Sequence, residues 1–174
     1  MRADEGEMMN SRLEDTPLCI LDLDGVVHHH EVYYQPGRGV YMREPNHELF
    51  EWVCILSDLL APYPDVRIVL STSWVRSRGY EFTKTALPLA LRARVIDATF
   101  DNREVQKLEF DFMSRGQQVL SYVERRKLKR WFAIDDDVVG WPARCIDRLV
   151  QTEGHLGLSA PRAQDAVRKI LETL

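Results

Sequence analysis

Cysteine is scarce in this chain, with Cys19, Cys54 and Cys145 alone among 174 residues. They are odd in number and far apart, and each lies in or beside an apolar stretch. That argues against a disulfide framework or a zinc site and for reduced, buried thiols. No apolar run comes near the roughly 20 residues that a membrane-spanning helix needs. The opening stretch, Met1-Arg2-Ala3-Asp4-Glu5-Gly6-Glu7, is acidic and unlike a signal peptide. Positive charge is also short. With 23 Lys and Arg against 27 Asp and Glu, the net charge is -4, so no global basic field advertises nucleic-acid binding. No internal repeat, low-complexity tract or second domain is visible. The expectation is a cytoplasmic protein with no membrane association and no obligate protein partner.

What is present reads as one domain, which at this length buries roughly 70% of its unfolded surface. Residues 1–16 are polar and aperiodic, so a disordered arm is expected there, with the domain over 17–174. Leu18 to Leu23 is apolar on both faces, as a central parallel strand should be. Residues 28–45, rich in His, Tyr, Gly and Pro, predict an irregular flap or hairpin near the end of that strand. Asn46 is expected to cap a helix with Leu49, Trp52, Val53, Leu56, Leu59 and Leu60 at helical spacing, stopped by Pro62 and Pro64. Val66 to Leu70 predicts a second buried strand, running into Ser71-Thr72-Ser73-Trp74. Beyond it come a helix over Tyr80 to Leu87, a strand over Arg94 to Ala98 and a helix opened by Ser114. A strand over Trp131 to Ile134 runs into Asp135-Asp136-Asp137. A fifth strand over Arg148 to Thr152 and a helix capped by Ser159 complete the chain. Short apolar strands alternating with amphipathic helices predict the α/β class, a sandwich around a five-stranded parallel sheet.

The chemistry begins in Leu21-Asp22-Leu23-Asp24-Gly25. A strand has period two, so Asp22 and Asp24 leave it on the same side. Converging carboxylates at the end of a buried strand repel each other unless a cation lies between them or one holds a proton. A hard divalent ion such as Mg²⁺ meets that need, and carboxylate-held Mg²⁺ is the usual apparatus for handling phosphate. In open parallel sheets, ligands lie outside the carboxyl ends of the strands. Three strands here end in useful groups: Asp22 and Asp24, Ser71-Thr72-Ser73, and Asp135-Asp136-Asp137. Arg115 stands at the start of the helix before the third.

In that order these segments resemble the four motifs of the haloacid dehalogenase-like (HAD) phosphatase superfamily. They are Asp22-Leu23-Asp24-Gly25-Val26, Ile68-Val69-Leu70-Ser71-Thr72, Arg115, and Phe132-Ala133-Ile134-Asp135-Asp136-Asp137. Ser114-Arg115-Gly116 and Gly154-His155-Leu156-Gly157-Leu158-Ser159 are similar to the HAD domains of Swiss Army knife RNA-repair proteins. The resemblance implies a three-layer, Rossmann-like sandwich. It also implies a Mg²⁺-dependent phosphatase in which Asp22 attacks phosphorus to form an aspartyl phosphate. Asp24 would serve as acid and then base. Mg²⁺ would be held by Asp22, the backbone carbonyl of Asp24, and Asp135 or Asp136. Thr72 or Ser71 would supply the motif hydroxyl, with Ser73 nearby on the phosphate. Arg115, with Lys107 in reserve, would balance the phosphoryl charge. Residues 28–65 and 75–114 are too short and too polar for a large cap domain. An open site suits a large phosphorylated substrate, such as a nucleic-acid terminus, as well as a small molecule or nucleotide. A non-catalytic binding or regulatory module on the same fold is the alternative.

Four further features invite ligands. His28-His29-His30 alternates sides on an extended chain, so a flap at the mouth is expected rather than a shared metal site. The basic run Arg125-Arg126-Lys127-Leu128-Lys129-Arg130 reads as a solvated helix C-terminus. Arg38, Arg43, Arg76 and Arg78 flank the expected mouth and suit a polyanion. Trp74, beside the proposed site, is read as core with a base-stacking alternative.

Overall fold

The computed structural model describes residues 13–103 and 106–174. Along the chain come β1 (Leu18–Leu21), β2 (Val32–Gln35), β3 (Gly39–Met42), α1 (Val53–Leu60), β4 (Arg67–Leu70), α2 (Ser73–Arg78), α3 (Tyr80–Ala86) and α4 (Leu89–Arg92). Then follow β5 (Val95–Ala98), α5 (Lys107–Phe112), α6 (Arg115–Arg126), β6 (Trp131–Asp135), β7 (Leu149–Gln151) and α7 (Pro161–Leu171).

Five strands pair in parallel in the order β5-β4-β1-β6-β7. Strand alternation divides their side chains between two cores. Cys19, Leu21, Ile68, Leu70, Phe132 and Ile134 face one side with α1 and α7. Leu18, Ile20, Val69, Trp131 and Ala133 face the other, against Val119, Tyr122 and Val123 of α6. Helices on both faces of one parallel sheet make the three-layer sandwich. Between β1 and β4 lie only the antiparallel β2–β3 hairpin and α1, and between β4 and α6 only short helices and β5, so the described residues form no large cap.

The chain runs outward from β1 to β4 and β5, then crosses back to β6 and β7. The connections of β1 and β6 therefore diverge, and a crevice opens at their carboxyl ends. Backbone bonds tie β1 to its neighbours on both sides up to that point: Asp22 N–H donates to Ile134 O of β6 (3.1 Å), and Ser71 N–H, just after β4, donates to Leu21 O (2.8 Å).

Several local expectations are corrected. The helix expected from Asn46 begins only at Val53, because residues 46–52 are turn and irregular backbone and Phe50 adopts φ 64°. Ser159 does not cap the last helix; its hydroxyl bonds back to Leu156 O, and α7 instead starts with Pro161 in its first turn. Of the three free thiols only Cys19 is buried, whereas Cys54 is exposed. Residues 1–12 of the expected arm lie outside the described residues. Leu13, from its last part, packs into the core beneath α6, and Glu14 and Asp15 pair with Lys129. The basic run is a partly solvated helix end: Lys127, Lys129 and Arg130 are exposed, whereas Arg126 is buried and reaches Asp97 (3.3 Å).

Candidate active site

Asp22, immediately after β1, is buried, and so is Asp135 at the end of β6; Asp136 is half-buried. One carboxylate oxygen from each of the three lies within 4.8 Å of the others. Parallel pairing of β1 with β6 creates this convergence, since both strands end at the same level. Gly25 makes room for it. At φ 73° it takes a conformation that L side chains rarely adopt, and a Cβ there would stand 2.3 Å from Asp136 Oδ2.

Arg115 enters from the first turn of α6, which Ser114 and Gln117 fix with a reciprocal capping box. Its guanidinium donates to Ser71 O (2.8 Å) and reaches Asp135 Oδ2 (3.2 Å) and Asp22 Oδ2 (3.4 Å). One cation thus faces three acids. Burial, aided by Asp24 and Asp136 and opposed by Arg115, pushes the Asp22 carboxyl up to about 7. Burial and the Asp22 charge raise Asp135 well above the usual carboxylate range, and burial raises Asp136. Burial pulls the Arg115 guanidinium down, but Asp22 and Asp135 outweigh it and the net direction is up.

Does a cation fit? Asp22 Oδ1 is buried and has no hydrogen-bond partner among the described residues. An orphaned carboxylate oxygen beside two more carboxylates, with a single guanidinium against them, is a donor set suited to a hard divalent ion.

The residues of the hydroxyl segment differ in position. Ser71 is buried, and its Oγ accepts from Thr99 Oγ1 (3.4 Å). Thr72 is the N-cap of α2, accepting from Trp74 N–H (3.4 Å). Thr72 and Ser73 line a cleft of ≈ 290 Å³, together with Arg115, Gln118, Arg76 and Asp137. Lys107 is exposed in α5 and does not line the cleft, whereas Arg115 does. Arg76 and Asp111 close an ion pair across this cleft (2.8 Å).

Asp24 leaves the sheet beside Asp22, but its carboxylate joins a different set of groups. Trp74 Nε1–H donates to both Oδ1 (3.0 Å) and Oδ2 (3.1 Å), and His28 Nε2 lies 2.9 Å from Oδ1. The sequence reading missed both contacts. It placed His28 in a flap, yet His28 is fully buried in the wall of the site. The four-residue spacing from Asp24, across the Gly25 turn, was the available signal. The neighbouring histidines go elsewhere: His29 Nδ1 accepts from Glu31 N–H, while His30 lies against Gly154, near Asp136.

A family model described as the HAD domain in Swiss Army Knife RNA repair proteins matches residues 18–163. No curated protein and no solved structure gives a significant match. Among the described residues, no helix is long and apolar enough to cross a membrane. The chain belongs to the family of HAD domains found in Swiss Army Knife RNA repair proteins, a HAD-like fold of the phosphatase and hydrolase kind.

Proposed function

We propose that this domain is a Mg²⁺-dependent phosphomonoesterase that works through an aspartyl phosphate on Asp22. The observation that carries the reading is the unpartnered, buried Asp22 Oδ1, set among carboxylates from two strands with Arg115 on the companion oxygen. Asp22, Asp135, Asp136 and the backbone carbonyl of Asp24 would hold the ion. Bound there, Mg²⁺ supplies positive charge that lets an anionic nucleophile approach an anionic phosphate.

The chain's own groups perform the transfer. Asp22 forms a bond to phosphorus as the ester P–O bond breaks, and Asp24 gives its proton to the leaving oxygen. A water then attacks phosphorus, Asp24 takes the proton released, and the acyl P–O bond breaks to restore Asp22 and free phosphate. Arg115 offsets charge on the phosphoryl oxygens. Thr72 and Ser73, which line the cleft, bind those oxygens, whereas Ser71 is engaged with Thr99.

The substrate we favour is the phosphorylated end of a nucleic acid, of which a nucleotide is the smallest version. The absence of a large cap leaves room for such a substrate. The matched family is named for RNA repair. Exposed Tyr33 and Tyr34 on β2, under the guanidinium groups of Arg43 and Arg78, offer stacking faces beside charge. A cytoplasmic setting belongs to the same proposal, since the exposed thiol of Cys54 is unpaired.

The test is phosphate release from p-nitrophenyl phosphate, nucleotides, and 5′- or 3′-phosphorylated oligoribonucleotides, with and without Mg²⁺. Release should require Mg²⁺ and fall by at least about 10³-fold in Asp22→Asn. Wild-type turnover in a folded Asp22→Asn protein would refute the covalent mechanism.

A further inference from the structure

Resting on that reading, we propose that His28 and Trp74 are positioning residues that lock the Asp24 carboxylate in one orientation for its exchange with the leaving oxygen. The lock begins in the turn after β1. Val26 and Val27 N–H groups both donate to Leu23 O (3.2 and 3.0 Å), which folds the chain back and brings His28 beside Asp24. The His28 ring is then fixed from its other side, because Phe50 N–H donates to Nδ1 (3.1 Å). A ring nitrogen that accepts carries no proton, so the ring N–H lies on Nε2 and is donated to Asp24 Oδ1 (2.9 Å).

Trp74 arrives from α2, whose N-cap is Thr72. The indole N–H is a donor only, and it spans both Asp24 oxygens. Oδ1 therefore receives two donors and Oδ2 one, which leaves Oδ2 as the oxygen with unused accepting capacity. Phe50 completes the arrangement, its ring 5.1 Å from that of His28 and 5.8 Å from that of Trp74. To aim its N–H at His28, Phe50 takes φ 64°, a conformation unfavourable for a bulky residue. Strain kept beside a fully buried, doubly bonded histidine marks a built arrangement. Packing alone does not require that these donors converge on Asp24.

The test compares wild type, His28→Leu, His28→Gln and Trp74→Phe in Mg²⁺ on two substrates. One is p-nitrophenyl phosphate, whose leaving oxygen needs little help; the other is an alkyl phosphate, whose leaving oxygen needs a proton. His28→Leu and Trp74→Phe should lose about tenfold or more in kcat on the alkyl ester. They should lose less than about threefold on the nitrophenyl ester, with KM unchanged. His28→Gln, which restores an N–H near the position of Nε2, should recover most of the loss. Thermal unfolding identifies any variant that fails to fold, and where His28→Leu fails, Trp74→Phe decides. Equal losses on both esters, or no loss, in folded variants would overturn the proposal while leaving the phosphatase reading intact. A wild-type protein that releases no phosphate from any substrate ends both.

Discussion

The Arg115 guanidinium stands 3.4 Å from Asp22 Oδ2, across the junction between α6 and the end of β1. It reaches Asp135 and the Ser71 carbonyl as well, so one planar fork joins three strand ends. A lysine there would keep the charge but could not span those acceptors. Arg115→Lys is expected to lower phosphate release by about tenfold or more. Arg115→Ala leaves buried carboxylates uncompensated and should destabilise the fold by about 3–5 kcal/mol. Thermal unfolding with and without Mg²⁺ checks this, and the deficit should shrink when the cation is present.

Stability should run against pH in a defined window. Without a cation, burial holds Asp22 up at about 7, with Asp135 and Asp136 also raised. In the unfolded chain these carboxyls titrate near about 4. Between these values the folded state binds more protons than the unfolded state, so stability falls as pH rises through the window. In EDTA, Tm should be higher at pH 5 than at pH 8. A flat or rising profile would contradict the burial described.

Mg²⁺ should reverse that loss, because it favours the ionised trio. At a hundredfold excess over its dissociation constant, a bound ion contributes about 2.7 kcal/mol. For a chain of this size that is roughly 5–10 °C in Tm. The gain should be large at pH 8 and small at pH 5. Asp22→Asn and Asp136→Asn should each reduce it in a calorimetric scan.

Gly25 sets the geometry of the trio without supplying a ligand. In Gly25→Ala, the added Cβ meets Asp136 Oδ2 at 2.3 Å and Gly154 Cα at 3.0 Å, on a backbone at φ 73°. The backbone conformation costs about 1–2 kcal/mol, and Asp136 must turn away. The expected result is a folded protein whose Tm no longer responds to Mg²⁺. A normal Mg²⁺ response would show that Asp136 is not part of the cation site.

Gly116 plays a similar part for Arg115. A Cβ there would come 2.4 Å from Gly140 C, and Gly116 N–H already donates to Val139 O (2.9 Å). Gly116→Ala must push the first turn of α6 away from the loop after β6. Phosphate release should fall by about tenfold or more as the guanidinium shifts, an effect comparable to Arg115→Lys.

The strand ends were legible in the sequence because each couples two signals, a short apolar run and a polar group where it stops. That coupling pointed to Asp22, the Ser71-Thr72 segment and Asp135-Asp136, which the parallel pairing brings to one edge of the sheet, and the Ser114 cap placed Arg115 in the first turn of α6. The parts that were not legible depend on irregular backbone. Residues 46–52 have helical spacing, but Phe50 and Trp52 give their N–H groups to His28 and Val27 instead. His28 carries no apolar pattern, so its complete burial follows only from the turn at Gly25. The different surroundings of Ser71 and Thr72 depend on the residue after β5, since Thr99 engages the Ser71 hydroxyl.

Asp22 stands more than a hundred residues before Asp135 and Asp136 in the chain, and it meets them only because β6 docks beside β1. During synthesis, therefore, a nascent polypeptide that has emerged only through β5 possesses the first acid pair and the hydroxyl segment but no second wall for an ion. Catalytic competence would switch on late, when β6 inserts, so half-made copies would be inert toward phosphate esters.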